Sequence, residues 1–190
     1  MASWGLLTYY CVFSMLILAY ILGSIPSAVW IGKRYYGVDI REHGSKNAGT
    51  TNMLRVLGKR AAIPVFVLDF LKGFAAVTLF GLMRYDPDIS SAWLINLKIL
   101  GVFAAMLGHI FPIFFKFKGG KGVATIVGTA AAFSPFTALV CFVVFLIITL
   151  STKIVSISSI SAVTLAVPVN YLFHSLLYND GTYIWFGSHQ

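Results

Sequence analysis

The stretch Phe111-Pro-Ile-Phe-Phe-Lys-Phe-Lys-Gly-Gly-Lys-Gly-Val-Ala-Thr125 sets Lys116, Lys118 and Lys121 among Gly119, Gly120 and Gly122. The apolar run Ala92 to Phe115 leads into it and the run Val123 to Leu150 leads away. Cationic charge and bare backbone between two membrane-length runs read as a loop at a membrane surface, and orientation alone does not require the glycines. Glycine N–H groups beside a lysine suit phosphate oxygens, so the inferred ligand is a phosphate. The alternative is that the lysines only enforce orientation and grip anionic lipid. This is not a Walker A loop: the preceding spacing differs, and Val123 stands where Ser or Thr would follow the last glycine.

Composition points to the same solvent. Of 190 residues, 58% are hydrophobic and 11% charged, with a mean hydropathy of +0.86, too apolar for a soluble globule. The expected architecture is an all-α, polytopic integral membrane bundle forming one domain. The first span runs from Leu6 to Trp30 and is interrupted near its end by Gly23-Ser24-Ile25-Pro26. Ala61 to Met83 is the second and Ala92 to Phe115 the third. Val123 to Leu150 would extend roughly 42 Å at about 1.5 Å per residue, long for one crossing of a core about 30 Å thick. Ser134-Pro135 divides it, because proline has no N–H to donate, giving a short helix to about Phe133 and another from Phe136. Ile154 to Leu176 is the last complete run, and Thr182 to Phe186 opens another that the chain does not finish. About six spans are expected.

Charge orients them. Lys33, Arg34, Arg41, Lys46, Arg55, Lys59 and Arg60 face only Asp39 and Glu42 between the first two spans, so that loop is expected in the cytoplasm and the N-terminus outside. Two further crossings return Lys116 to Lys121 to the cytoplasmic face, with Arg84 to Asp88 outside. The net charge of +8 suits anionic headgroups and phosphorylated substrates better than nucleic acid in so apolar a chain. Cys11 and Cys141 lie within apolar runs and show no disulfide or metal spacing, so neither a metal nor a cofactor is expected. No basic residue precedes Lys33, so the first run reads as a retained span.

The first loop, His43-Gly-Ser-Lys-Asn-Ala-Gly-Thr-Thr-Asn-Met-Leu-Arg55, is dense in hydrogen-bonding and glycine positions. Ser45, Asn47, Gly49, Thr51 and Asn52 are candidates to hold phosphate oxygens where N–H groups and a helix start converge. Arg55, one turn beyond Thr51, could clamp the same anion bidentately. The bland reading is a polar loop with an ordinary capped helix. In the second loop the candidates are Lys118, Gly119, Gly120, Lys121, Gly122 and Thr125. His109, just ahead, is either a helix–helix hydrogen bond or a group acting on substrate, including a general base. Asp69 and Lys72 lie three apart on one helix, where mutual compensation is expected. Ser156, Ser158, Ser159 and Ser161 read as close helix packing.

These segments resemble a family. Gly23-Ser-Ile-Pro26, Gly44 to Arg55, Asp69-Phe-Leu-Lys-Gly73, Gly108 to Thr125 and Val155-Ser-Ile-Ser-Ser159 look like the bacterial acyl-phosphate-dependent glycerol-3-phosphate acyltransferases, the PlsY family, over residues 15 to 168. The resemblance implies transfer of an acyl group from acyl phosphate to the first hydroxyl of glycerol 3-phosphate, giving lysophosphatidic acid at the cytoplasmic face of the bacterial plasma membrane. It implies that Ser45, Asn52 and Arg55 help to hold acyl phosphate and that Lys121 with its glycines holds phosphate at the reacting centre. It names lipid and the two substrates as partners, with no obligate protein partner.

Thr50 stands where the family usually has Ala, and Lys153 where it usually has Arg. The family also implies a further helix and a His, Asn and Glu segment. This chain ends Tyr178-Asn-Asp-Gly-Thr-Tyr-Ile-Trp-Phe-Gly-Ser-His-Gln190, where His189 does not reproduce that segment, so it reads as a C-terminally truncated member. Competing readings are a non-catalytic membrane protein that binds phosphate or anionic lipid, and an anion transporter.

Overall fold

The computed structural model describes residues 5–178; Thr182 to Phe186 and His189, on which expectations rested, lie outside that range. Every regular element among the described residues is helical: α1 Leu6–Gly23, α2 Ser27–Tyr36, α3 Thr50–Leu57, α4 Lys59–Phe80, α5 Ser91–Ile110, α6 Val123–Phe133, α7 Pro135–Thr152 and α8 Val155–Tyr178. Short 3-10 turns sit at Ile40–Glu42, Gly81–Tyr85 and Ile113–Phe115. Chain contacts gather into two compact units, 1–132 and 133–190.

Proline and small polar residues set the helix ends. Pro26 cannot donate, so the first run breaks after Gly23; Ser24 Oγ donates back to the Tyr20 carbonyl at 2.8 Å, and the chain restarts as α2. In the second unit Ser134 caps α7 by accepting from the Thr137 N–H at 3.4 Å, with Pro135 in the first turn. The helix therefore begins one residue earlier than Phe136, because a proline's fixed φ already suits the first helical position.

Among the described residues, four segments are long and apolar enough to cross a membrane: Leu6–Tyr36, Lys59–Tyr85, Ser91–Phe115 and Pro135–Thr152. The 11 residues of α6 cover only about 17 Å, roughly half of a bilayer core. The expected break at Ser134-Pro135 is present, and it makes α6 a half-length helix.

Within the first unit, helices approach through glycine. A methyl at Gly108 of α5 would strike the Tyr20 carbonyl and the Ser24 amide, and one at Gly23 of α1 would strike the Ala105 backbone. Gly73 of α4 and Gly128 of α6 make the matching contact, against the backbones of Thr125 and Phe70. Where lipid removes the usual hydrophobic drive between helices, such backbone-close packing supplies association.

The two ends of α1 differ in charge. At its start, Gly5 N–H donates to Asp88 at 2.9 Å and Thr8 Oγ1 to Asp86 at 2.9 Å, placing carboxylates at the positive pole of the helix. At its far end lie α2 and the basic loop.

Gly108→Val is expected to lower thermal stability by at least about 1–3 kcal/mol, the usual cost of overpacking, in detergent-solubilised protein. Gly81→Ala is the control, since its methyl meets only the Lys98 side chain at 4.0 Å; it should stay within about 0.5 kcal/mol. Equal melting temperatures for the two variants would show that α1 and α5 do not pack as described.

Candidate functional site

The first loop is built around Asn52. Its carboxamide is buried: Nδ2 donates to the carbonyls of Ile40 and His43, both at 3.0 Å, and Oδ1 accepts from the Ser45 N–H at 2.9 Å. Both donor hydrogens and the acceptor oxygen are thus engaged by the loop itself. Asn52, a residue expected to hold phosphate, fixes the path of residues 40–45 through these bonds.

Asp39 anchors the same loop from below. Arg41 grips it with a two-pronged fork, Nε to Oδ1 at 2.9 Å and Nη2 to Oδ2 at 2.7 Å, and Lys33 adds an ion pair at 3.0 Å. The hydrogen bonds from Arg41, against the opposing effect of burial and with help from Lys33, hold the Asp39 carboxyl well below the usual carboxylate range. The same fork raises the affinity of Arg41 for its proton. Held in this way, the Arg41 guanidinium lies 4.8 Å from the Phe115 ring centroid, a cation–π contact that joins the two loops. Sequence reading passed over this pair; the only signal was an acid and a base two apart in a glycine-rich connection.

The second loop folds back onto the end of α5. Gly119 N–H donates to the Ile110 carbonyl and Gly120 N–H to the His109 carbonyl, both at 3.1 Å. These amides were expected to face phosphate. They serve instead to satisfy carbonyls that the last turn of a helix leaves without partners. Neither glycine has room for a side chain: a methyl at Gly119 would strike the His109 carbonyl, and one at Gly120 would strike His109 Nε2 and the Ala48 carbonyl. Gly122 has φ +76, a left-handed conformation that glycine adopts without steric cost. Lys116 and Phe117 also take positive φ, at 52° and 59°, and N–H bonds from Phe117 to Pro112 and from Lys118 to Phe115 hold them there.

The two loops meet where the Ala48 carbonyl comes against Gly120. Beneath them Ile40, Ala48, Met53, Val29 and Val65 form a shared apolar core, with Phe115 packed against it. From this contact two helices begin, α3 at Thr50 and α6 at Val123. The N–H groups of Thr50 and Thr51 in α3, and of Val123, Ala124 and Thr125 in α6, have no acceptor among the described residues. The Thr50 hydroxyl is also buried without a partner. Lys46, Lys118 and Lys121, which precede these helix starts in the chain, are exposed, as is Arg55 in the last turn of α3, and none forms an ion pair among the described residues. Unpaired N–H groups at helix starts and nearby cations are the groups with which proteins hold anions. Ser45 and Thr51 are exposed at this rim and Asn47 is half-buried, while Gly49 uses its N–H on the Asn47 carbonyl and its own carbonyl to start α3.

Under the loops lies a buried polar chain. Asp69 and Lys72 form an ion pair at 2.8 Å with side chains 3% and 4% exposed, as their spacing suggested. Lys72 Nζ also donates to the Ile25 carbonyl at 2.8 Å. His109 Nδ1 is 3.9 Å from Asp69 Oδ1 and hydrogen-bonded to Thr125 Oγ1 at 3.1 Å. Thr125 is fully buried, and its hydroxyl pairs with His109. His109 is 6% exposed and makes a helix–helix hydrogen bond to Thr125.

The sequence pattern of the glycerol-3-phosphate acyltransferase family matches residues 13–188. A glycerol-3-phosphate acyltransferase of Enterococcus faecalis is 52% identical over 124 residues, which is 64% of this chain and 52% of the relative. One from Streptococcus pneumoniae is 50% identical over 121 residues, covering 64% and 53%. The chain spans about half the length of the curated relatives it matches. Among solved structures, the integral membrane glycerol 3-phosphate acyltransferase PlsY in its glycerol 3-phosphate form aligns with a TM-score of 0.70 at 39% identity, over 88% of this chain and 78% of that one. Its lysophosphatidic acid form gives 0.68 at 38%, over 88% and 77%. The all-helical, multi-pass membrane architecture is common to both.

Replacing Asn52 by leucine leaves two carbonyls and one N–H without their partner, at a cost of about 1–3 kcal/mol for a buried unsatisfied group. Limited trypsin digestion should then cut at Lys46 about ten times faster. An unchanged rate of cleavage would remove Asn52 from its place as the loop's organiser.

Proposed function

The chain belongs to the glycerol-3-phosphate acyltransferase family, and we propose that it transfers a fatty acyl group from acyl phosphate to the first hydroxyl of glycerol 3-phosphate, forming lysophosphatidic acid. One observation carries this reading: two helix starts, whose first N–H groups have no acceptor among the described residues, meet at one end of an apolar bundle, near cations that no acid among those residues neutralises. Two phosphate-bearing substrates would need such a field. Solved relatives have been captured with the substrate and product named here.

Acyl phosphate is a mixed anhydride, so the chemistry needs little beyond positioning and neutralisation of the leaving phosphate. The glycerol oxygen attacks the acyl carbon, the C–O bond to phosphate breaks, and phosphate departs carrying its negative charge. Lys121, Lys118 and the first-turn N–H groups of α6 would stabilise that charge. Arg55, Ser45 and the start of α3 would orient a phosphate from the other side. The attacking hydroxyl must lose a proton, and the burial of His109 favours a phosphate oxygen of substrate over its imidazole as acceptor. We place the site on the cytoplasmic face of a bacterial plasma membrane, with about six spans, the N-terminus outside, and one functional domain. The acyl chain would lie in the bilayer region.

Membranes containing only this chain should transfer labelled acyl groups from acyl phosphate to glycerol 3-phosphate. Lys121→Ala is expected to insert normally and lose turnover by about 10²–10³-fold, the scale of losing one transition-state donor. Near-normal activity would exclude Lys121 from the site. Binding of either phosphate with no product would overturn the enzymatic reading in favour of a non-catalytic binder, and passage of phosphate across sealed vesicles would favour a transporter.

A further inference from the structure

We propose that the Asp69–Lys72 ion pair is a positioning device that sets where the Lys121 loop and the start of α6 sit, a role that rests on the acyl-transfer reading for its effect on turnover. Neither side chain reaches the rim where substrate would bind, since both are almost fully buried. A single charge inside a membrane helix is costly. A buried pair is commonly no more stabilising than apolar residues of the same volume. Stability alone therefore gives little reason for it.

An apolar pair could not make the contacts that this one makes. Lys72 Nζ binds the Ile25 carbonyl at 2.8 Å, beside the Pro26 break between α1 and α2. Asp69 Oδ1 stands 3.9 Å from His109 Nδ1, too far for a hydrogen bond, so its negative charge acts on the imidazole across that gap and favours a proton on the Nδ1 that meets Thr125 of α6. The next residue along, Gly73, packs against the Thr125 backbone. The His109 carbonyl in turn holds the Gly120 N–H at 3.1 Å. Lys121 is thus bracketed, with Gly120 tied to α5 on one side and Thr125 tied to α5 and α4 on the other. A displacement of about 1 Å at a reacting centre costs on the order of 10²-fold in rate. Asp69 and Lys72 are positioning residues, acting through His109 and Thr125.

The test is the double variant Asp69→Leu/Lys72→Met, which removes both charges together and leaves neither orphaned. It should insert and melt at or above the wild-type temperature. Amide hydrogen exchange at Gly119 and Gly120 should accelerate at least about tenfold, with the first turns of α1 unchanged, because losing about 1.4 kcal/mol of local protection is a tenfold effect. Its kcat should fall about a hundredfold with KM for acyl phosphate changed by less than about threefold, the pattern of an interaction lost in the transition state rather than in binding. Native exchange at both glycines, or native kcat, would overturn the proposal. Thr125→Val, nearly the same shape, cuts only the link from His109 to α6; it should show the same exchange signature, and native exchange there overturns the proposal even if the double variant fails to fold. Should the wild-type chain itself be inert, acyl transfer falls, while the exchange measurement still decides whether the pair positions the loop.

Discussion

The last carbonyls of α5 decide the shape of this site. A helix that ends inside a bundle leaves its final C=O groups with no following turn to bond, and leaving them unsatisfied in an apolar setting costs several kcal/mol. Water or a side chain could supply donors. Here the chain itself turns back, and the N–H groups of Gly119 and Gly120 close on Ile110 and His109. Only residues without a side chain fit so near the α5 backbone. The glycines of the basic loop thus bring the main chain against a helix end, and the N–H groups left without an acceptor among the described residues belong to the next element, the first turn of α6. The exposed lysines follow from the same fold, since Lys118 and Lys121 flank a segment pinned to α5.

Much of the fold could be read from the residues. The apolar runs marked α1, α4, α5, α7 and α8 to within a few residues, because a membrane helix must keep its backbone bonds internal and its side chains apolar. Pro26 and Pro135 announced their breaks, since a missing N–H is legible wherever it falls. The Asp69–Lys72 pair was legible as well, because three residues apart on a helix is contact distance. Arg84 to Asp88 and the basic loops fell at opposite ends of α1, as the charge pattern implied.

The residues that organise the site were less visible. Asn52 stands in a segment of hydroxyls and amides, and nothing local distinguishes the one that turns inward from those that face out. That distinction is set by Ile40 and His43, residues 12 and 9 positions away, whose carbonyls it binds. Arg41 and Phe115 come from different loops, and their stacking exists only once both are folded. Thr125 could be named as a candidate, yet its partner His109 lies 16 positions back on another helix. In each case the missing information was a tertiary neighbour.

One asymmetry in charge separates an anion-binding site from an ordinary basic rim. Asp39 and Glu42 are the only acids between the first two spans, and Asp39 is fully occupied by Arg41 and Lys33. It holds the cations that build the loop. The cations at the helix starts receive no such partner among the described residues, and neither do the N–H groups beside them. A rim that served only to orient the protein could neutralise these charges without loss, because orientation depends on position relative to the membrane and not on an open site. Arg41 and Lys33 are committed to the scaffold, while Lys121, Lys118 and Arg55 have no acid beside them among the described residues. On the proposed reading, a phosphate monoester, with its several oxygens and net charge, suits these cations and N–H groups in sign and in the number of donors offered.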